Sequence, residues 1–166
     1  PEVHTTNISD HVIIVGFGIN GRNVARATNY GKIPHVIIEM NPDTVKEELA
    51  KGETILYGDA SQEEVLKHAN IEKAMILVIT IPHPMETKRI TSMARSLNPH
   101  LHIIIRTRFI NEMKNLYELG ADEVIPEEFE TSIEIFTRVL AKYLIPTDEI
   151  EKLVAQVRAD GYQMFR

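Results

Sequence analysis

Gly16-Phe17-Gly18-Ile19-Asn20-Gly21 is the stretch of this chain whose residue types and spacing point most directly to ligand chemistry. It reads G-x-G-x-x-G and joins an apolar run, His11 to Val15, to a segment with helical patterning. In that setting each glycine serves a different purpose. Gly16 permits a tight turn, Gly18 lets the backbone approach a phosphate, and Gly21 lets a helix pack close to a strand. The start of such a helix turns unpaired N–H groups and a partial positive charge toward an anion. Glu39 closes the next β-branched run, where its carboxylate is placed to accept hydrogen bonds from ribose hydroxyls and to repel a 2′-phosphate. The chemistry implied is recognition of NAD or an adenosine nucleotide rather than NADP. The competing reading is a glycine turn that only packs a strand against a helix.

Other candidates gather at the carboxyl ends of the strands, where open α/β sheets bind ligands. Met40 follows Glu39 in that position. Asp59 and Ala60 either line an adenine edge or, in the case of Asp59, support the start of the next helix. Thr80 and Ile81 offer a small polar residue and backbone to border a nucleotide. Arg106 and Arg108 are the cations placed near the phosphates, and Arg106 is the better candidate because it ends an apolar run where an unpaired charge is costly. Glu127 and Glu128, with Glu130, are either a solvated helix start or a cation or regulatory site at a dimer seam. His100 and His102 share a strand face but have no neighbouring ligand cluster, so no metal site is expected. No catalytic constellation stands out, because H-E-x-x-H and G-x-S-x-G are absent and the chain has no cysteine.

The elements that must position these residues are legible in the alternation of β-branched runs with helical segments, which predicts parallel strands joined by crossover helices. Strands are expected at His11–Val15, His35–Glu39, Thr54–Tyr57, Met75–Ile81, Leu101–Arg106 and Glu123–Ile125. Helices are expected over Arg22–Tyr30, ended by a left-handed cap at Gly31; after Asn41, with Pro42 first; after Ser61, in a capping box with Glu64; over Glu86–Leu97; and between Asn111 as cap and Gly120 as stop. The fold class is therefore α/β, a Rossmann-like doubly wound parallel six-stranded sheet over residues 10–128, preceded by a leader or linker over 1–9 and followed by a C-terminal helical extension over 129–166. In that extension, Ile133, Phe136, Val139, Leu140, Tyr143 and Leu144 form one apolar stripe over Phe129–Leu144, and a second helix runs from Thr147 to about Asp160 before Gly161. The stripe packs either on its own sheet or on a second copy of the chain.

Composition sets outer bounds. With 166 residues, 43% of them hydrophobic, one main domain can bury a core of its own. A net charge of -6 and the lack of a basic face argue against a nucleic-acid partner. The longest apolar runs fall far short of the roughly 20 residues that span a bilayer. Pro1 stands where a methionine would begin a complete protein, so a piece of a longer chain is expected.

Taken together, His11-Val12-Ile13-Ile14-Val15-Gly16-Phe17-Gly18, Glu39, Tyr57-Gly58-Asp59-Ala60, Ile104-Ile105-Arg106 and Val124-Ile125-Pro126-Glu127 resemble the RCK family, also called KTN or TrkA-N domains. Gly161-Tyr162-Gln163-Met164-Phe165 is similar to the end of the Kef-type potassium/proton antiporter domains. The resemblance implies a cytoplasmic regulatory domain, not an enzyme, that dimerises through its C-terminal helices and binds NAD(H), AMP, ADP or ATP. Ligand exchange would then gate an attached or associated membrane potassium channel, transporter or antiporter. It assigns nucleotide contacts to Gly16, Phe17, Gly18, Asn20, Glu39, Asp59, Ala60, Thr80 and Arg106, and the neighbouring Ile19, Gly21, Met40 and Ile81 complete the expected cofactor-binding set. Ile19 departs from the arginine usual in the Kef glycine loop, which argues against glutathione gating. The separate ligand domain of longer RCK proteins is not expected in this stretch. The alternative is a fragment of an NAD-dependent oxidoreductase lacking its substrate domain, a reading weakened by the few residues that follow the sixth strand.

Overall fold

The computed structural model describes residues 7–165, so residues 1–6 of the expected leader lie outside the described residues. Two compact units are present: one comprises the described chain up to Thr107 together with Asn111–Ile125, and the other comprises Arg108–Ile110 and the chain from Pro126 onward. The second begins three residues before the position at which an extension is expected from sequence.

In the first unit, Val12, Ile13, Ile14 and Val15 form β1 (Val12–Val15), and all four are buried. A strand buried on both faces needs helices on both, and the remaining elements supply them. They are α1 (Ile19–Tyr30), β2 (His35–Glu39), α2 (Pro42–Ala50), β3 (Ile55–Tyr57), α3 (Glu63–His68), β4 (Ile76–Ile79), α4 (Pro84–Leu97), β5 (His102–Thr107), α5 (Met113–Leu119) and β6 (Glu123–Pro126). The sheet order is β3-β2-β1-β4-β5-β6, and Ile14 pairs in parallel register with Ile37 on one side and Val78 on the other. The doubly wound sheet expected from sequence is thus present. On one face, Val12, Ile14, Ile37 and Ile55 cluster with Ala25 of α1 and Val45 of α2. By alternation, Ile13, Val36, Ile38, Leu77 and Ile103, all at most 1% exposed, point to the other face. Each such side chain contributes about 1.5–3 kcal/mol of apolar burial.

Several local expectations are corrected. Helix α1 begins three residues early, at Ile19, and α4 begins at Pro84. Gly31 is right-handed, with φ −78°, and Lys32 takes the left-handed position instead, with φ 56°. The Ser61–Glu64 capping box does not form: Ser61 donates through N and Oγ to Asp59 Oδ1 at 2.9 and 2.7 Å, and α3 starts two residues later. Asn111 lies in a short turn of 3₁₀-helix before α5 and does not cap it. Asn41 does cap α2, its Oδ1 accepting from Asp43 N and Thr44 N. Strand β4 stops at Ile79, leaving Thr80 and Ile81 in the following loop.

Two histidines anchor the amino ends of the strands. His35, 6% exposed, is held at both ring nitrogens, by Thr28 Oγ1 at 2.8 Å and Glu53 Oε1 at 2.6 Å. His11 is fully buried, with Nε2 2.7 Å from the Ala69 carbonyl and Nδ1 without a partner. Burial holds the His11 imidazole below its ordinary value, against the opposing pulls of the Ala69 carbonyl and Asp10. The folded state therefore favours the neutral ring. The stability this contributes is complete well above the unfolded value of about 6.5 and is lost as the pH falls below it. Chemical denaturation between pH 7 and pH 5 is expected to show declining stability, and His11→Gln, which keeps a donor for Ala69 but does not titrate, is expected to flatten that slope.

The second unit is helical. Helix α6 (Glu127–Lys142) starts two residues before the expected Phe129, and α7 (Thr147–Ala159) follows it. Arg158 of α7 donates to Glu130 of α6 at 3.0 Å. The chain closes with Gly161 and Tyr162 both left-handed, which turns Tyr162 edge-on to Phe129 (5.8 Å) and Phe165 edge-on to Phe136 (5.4 Å). The apolar stripe is thus only partly covered within its own unit. Ile133 is buried, whereas Val139, Tyr143 and Leu144 are exposed, and Ile135, Phe136, Val139 and Phe165 border an open groove of about 510 Å³.

Candidate functional site

The strand order reverses between β1 and β4, so the crevice where ligands bind in such sheets opens at the carboxyl end of β1. There the chain leaves β1 through Gly16, whose φ of +99° is a conformation that side chains rarely adopt. Gly16 N donates to the Ile38 carbonyl at 3.0 Å, tying the turn to β2. A Cβ on Gly21 would stand 1.9 Å from the Gly16 carbonyl oxygen, so this glycine is what allows α1 to rest on the turn.

Gly18 differs from both. Its φ is −79°, open to any residue, and a Cβ there would meet no protein atom within 4 Å. Neither backbone strain nor packing within the chain explains a glycine at that position. It precedes the 12-residue helix α1, whose start has no side-chain cap and no acidic residue in its first turn. The N–H groups of that turn are left with the partial positive charge of the helix start.

Glu39 is brought to the loop from β2. Its Oε1 accepts from Phe17 N at 3.0 Å, and its Oε2 from Met40 N and Asn41 N at 2.7 and 2.9 Å. Three of roughly four acceptor positions of the carboxylate are thereby used within the protein, so one carboxylate orients both the glycine loop and the β2–α2 turn. Met40 is 60% and Ile19 82% exposed, while Phe17 is buried beneath the Arg22 guanidinium, which lies 5.1 Å from its ring centroid. Arg22 is not among the residues expected from sequence. A cation five positions from its aromatic partner, across a loop-to-helix junction, falls outside any helical or strand period.

From the loop after β4, Thr80 donates through Oγ1 to the Val15 carbonyl at 2.9 Å, so its hydroxyl is turned inward and its proton is committed to β1. Ile81 lies against Gly16: its Cγ2 would be 3.0 Å from a Cβ there. From β5, Arg106 Nη1 donates to the Thr80 carbonyl at 3.0 Å. The structure therefore gathers Gly16, Phe17, Gly18, Gly21, Glu39, Thr80, Ile81 and Arg106 around one loop. Ala60 is buried, and Asp59 Oδ1 accepts from Ser61 N and Oγ in the turn that precedes α3. Glu127 and Glu128 belong to the second unit, at the start of α6. Among the described residues no group of three or more His, Cys, Asp or Glu side chains is placed to hold a metal ion, and no helix is long and apolar enough to cross a membrane.

Comparison with known proteins agrees with this geometry. The TrkA-N domain family matches residues 12–127. A putative K(+) efflux antiporter KefB from Alkalimonas amylolytica is 29% identical over 99% of the chain, which spans 25% of that protein's length. The crystal structure of the TrkA-N domain of the inner membrane protein YbaL from Escherichia coli superposes with a TM-score of 0.74 at 31% identity, covering 84% of this chain and 99% of that one. The AMP-bound Kef C-terminal domain from Shewanella denitrificans has the same fold, with a TM-score of 0.76 at 23% identity over 93% of this chain and 96% of that one. With its glycine loop, its β2 carboxylate and its doubly wound sheet all in place, the chain belongs to the TrkA-N domain family.

Proposed function

We propose that this chain is a nucleotide-sensing regulatory domain that binds NAD(H) or an adenosine nucleotide (AMP, ADP or ATP) and gates a membrane potassium transporter, channel or antiporter. Gly18 carries the reading: a glycine that neither strain nor packing requires is explained by a phosphate that must approach its backbone. The phosphate would rest on the N–H groups of Ile19, Asn20 and Gly21, with Phe17 and Ile81 along its border and Arg106 as the nearby cation. Ribose hydroxyls would reach Glu39, beside Met40, with Asp59 and Ala60 on the adenine side. The domain works at the cytoplasmic face of the membrane, covalently attached to or associated with the transporter, as the antiporter relatives suggest. The open groove and exposed stripe of α6 support a homodimer formed through that helix, with Glu127 and Glu128 at its seam. Ligand binding gates only if it favours one arrangement of that dimer over another, by differential affinity for the two.

Thermal-shift titration with AMP, ADP, ATP, NAD and NADH tests the reading. At a concentration 100 times Kd, a true ligand stabilises by about 2.7 kcal/mol, which for a chain of this size is a rise of roughly 5–10 °C. Glu39→Ala is expected to abolish the rise. No response of the unaltered protein to any of the five would overturn the proposal.

A further inference from the structure

We propose that Thr80 is a positioning residue, holding the two phosphate-recognising parts of the site, the glycine-loop backbone and the Arg106 guanidinium, in one fixed mutual geometry. The proposal rests on the nucleotide reading above and deepens it.

Every polar atom of Thr80 is committed. Its N and its Oγ1 both donate to the Val15 carbonyl, at 3.0 and 2.9 Å, and its own carbonyl accepts from Arg106 Nη1 at 3.0 Å. A carbonyl oxygen has two lone pairs, and Thr80 takes both at Val15. This orients the Val15–Gly16 peptide, the last rigid plane before the loop turns away at φ +99°. The hydroxyl also fills the space between two glycines. A Cβ on Gly16 would stand 2.9 Å from Thr80 Oγ1, and one on Gly21 3.2 Å from it. Thr80 is 9% exposed, so no solvent replaces these bonds when they are removed.

The side chain therefore holds the loop, while its backbone carbonyl fixes the cation. Valine has the same shape but places a methyl group where the donor was. The Val15 carbonyl then keeps one bond of two, the peptide plane gains freedom, and the N–H groups that face a phosphate lose their alignment. Serine keeps the donor. Losing one buried neutral hydrogen bond in the positioning layer corresponds to about a tenfold loss of affinity.

The test is calorimetric titration of the full chain with AMP, ADP and NAD, at a temperature well below every variant's Tm, using Thr80→Val, Thr80→Ser and, should the valine variant not fold, Thr80→Ala. Expected is about a tenfold rise in Kd for the hydroxyl-deleted variant and less than threefold for Thr80→Ser. Combining the hydroxyl deletion with Arg106→Gln is expected to cost less than the product of the single losses, because both act on one unit. A hydroxyl-deleted variant that binds as the unaltered chain does, even with a lowered Tm, would make Thr80 merely structural and overturn the inference while the nucleotide reading stands. Failure of the unaltered chain to bind any of the three would overturn both.

Discussion

Gly21→Ala is expected to destabilise the protein by about 3 kcal/mol or more and to abolish the nucleotide response, whereas Gly18→Ala is expected to lose the response alone. The two glycines sit three residues apart in one loop but are constrained by different things. At Gly21 the added carbon would stand 1.9 Å from the Gly16 carbonyl oxygen and 2.9 Å from its carbon. Both are backbone atoms, and Gly16 is itself tied to Ile38 at 3.0 Å, so neither side yields without lifting α1 off β1. At Gly18 the added carbon meets no protein atom, and a φ of −79° suits alanine. Stability of that variant should stay within about 0.5 kcal/mol of the unaltered chain. Urea denaturation measures the first effect and thermal-shift titration the second. If Gly18→Ala kept the full nucleotide response, the phosphate would not lie against that backbone.

The second large effect is expected at Arg95, outside the site. Its Nε and Nη2 both donate to the Gly120 carbonyl, at 3.1 and 2.7 Å, and Nη2 also reaches Asp122 Oδ2 at 2.8 Å. Its Nη1 donates to the carbonyls of Leu101 and Pro99, at 2.7 and 3.0 Å. One guanidinium thus satisfies the loop after α4 and the turn after α5, at the half of the sheet that carries Arg106. Arg95→Ala leaves several of these carbonyls without a donor, at about 1–3 kcal/mol each where water cannot reach them. A total loss of roughly 3 kcal/mol is expected once partial solvation is allowed for. Arg95→Lys is expected to recover little of it, because an ammonium cannot reproduce the planar fork. The variant should also change acid sensitivity. Burial pushes the Asp122 carboxyl up, but the Ile103 N–H and the Arg95 guanidinium together outweigh this and hold it below its ordinary value. Asp122 therefore contributes stability that is complete above about pH 4 and is lost as the pH falls through the lowered folded value. Without Arg95 the folded value rises toward the unfolded one, so this acid-dependent contribution should shrink. Equilibrium unfolding in urea at pH 7 and at acid pH reads both effects, and a variant as stable as the unaltered chain would show that other donors replace the guanidinium.

Much of the site could be read from residue types because its constraints are local. Gly16 must be glycine for its positive φ, and Asn41 caps α2 through its own short side chain. Such effects act over two to four residues and leave a mark in the order of the chain. The misread positions are those where another residue competed with a local preference. Ser61 and Glu64 have capping-box spacing, but Asp59 takes the Ser61 hydroxyl first. Gly31 is free to turn left-handed, yet Lys32 does so, and Ile33 N then bonds the Thr28 carbonyl. Thr80 carries a polar group at the rim of the crevice, and only its register beside β1 reveals that the hydroxyl faces inward.

By itself the sequence determined the α/β class, the six strands, the glycine loop and the carboxylate at the end of β2, because periodic apolar runs and glycine torsions are properties of neighbouring residues. Tertiary structure alone decided which polar groups of the candidate site are engaged with one another within the protein. Glu39 meets Phe17 across 22 positions, Thr80 meets Val15 across 65, and Arg106 meets Thr80 across 26. Each pairing follows from strand order and register, which place β1 between β2 and β4 and bring β5 alongside. Position in the motif already gives Gly18 and Gly21 different tasks, and the folded backbone adds the distances, crowding Gly21 against Gly16 and leaving open space at Gly18.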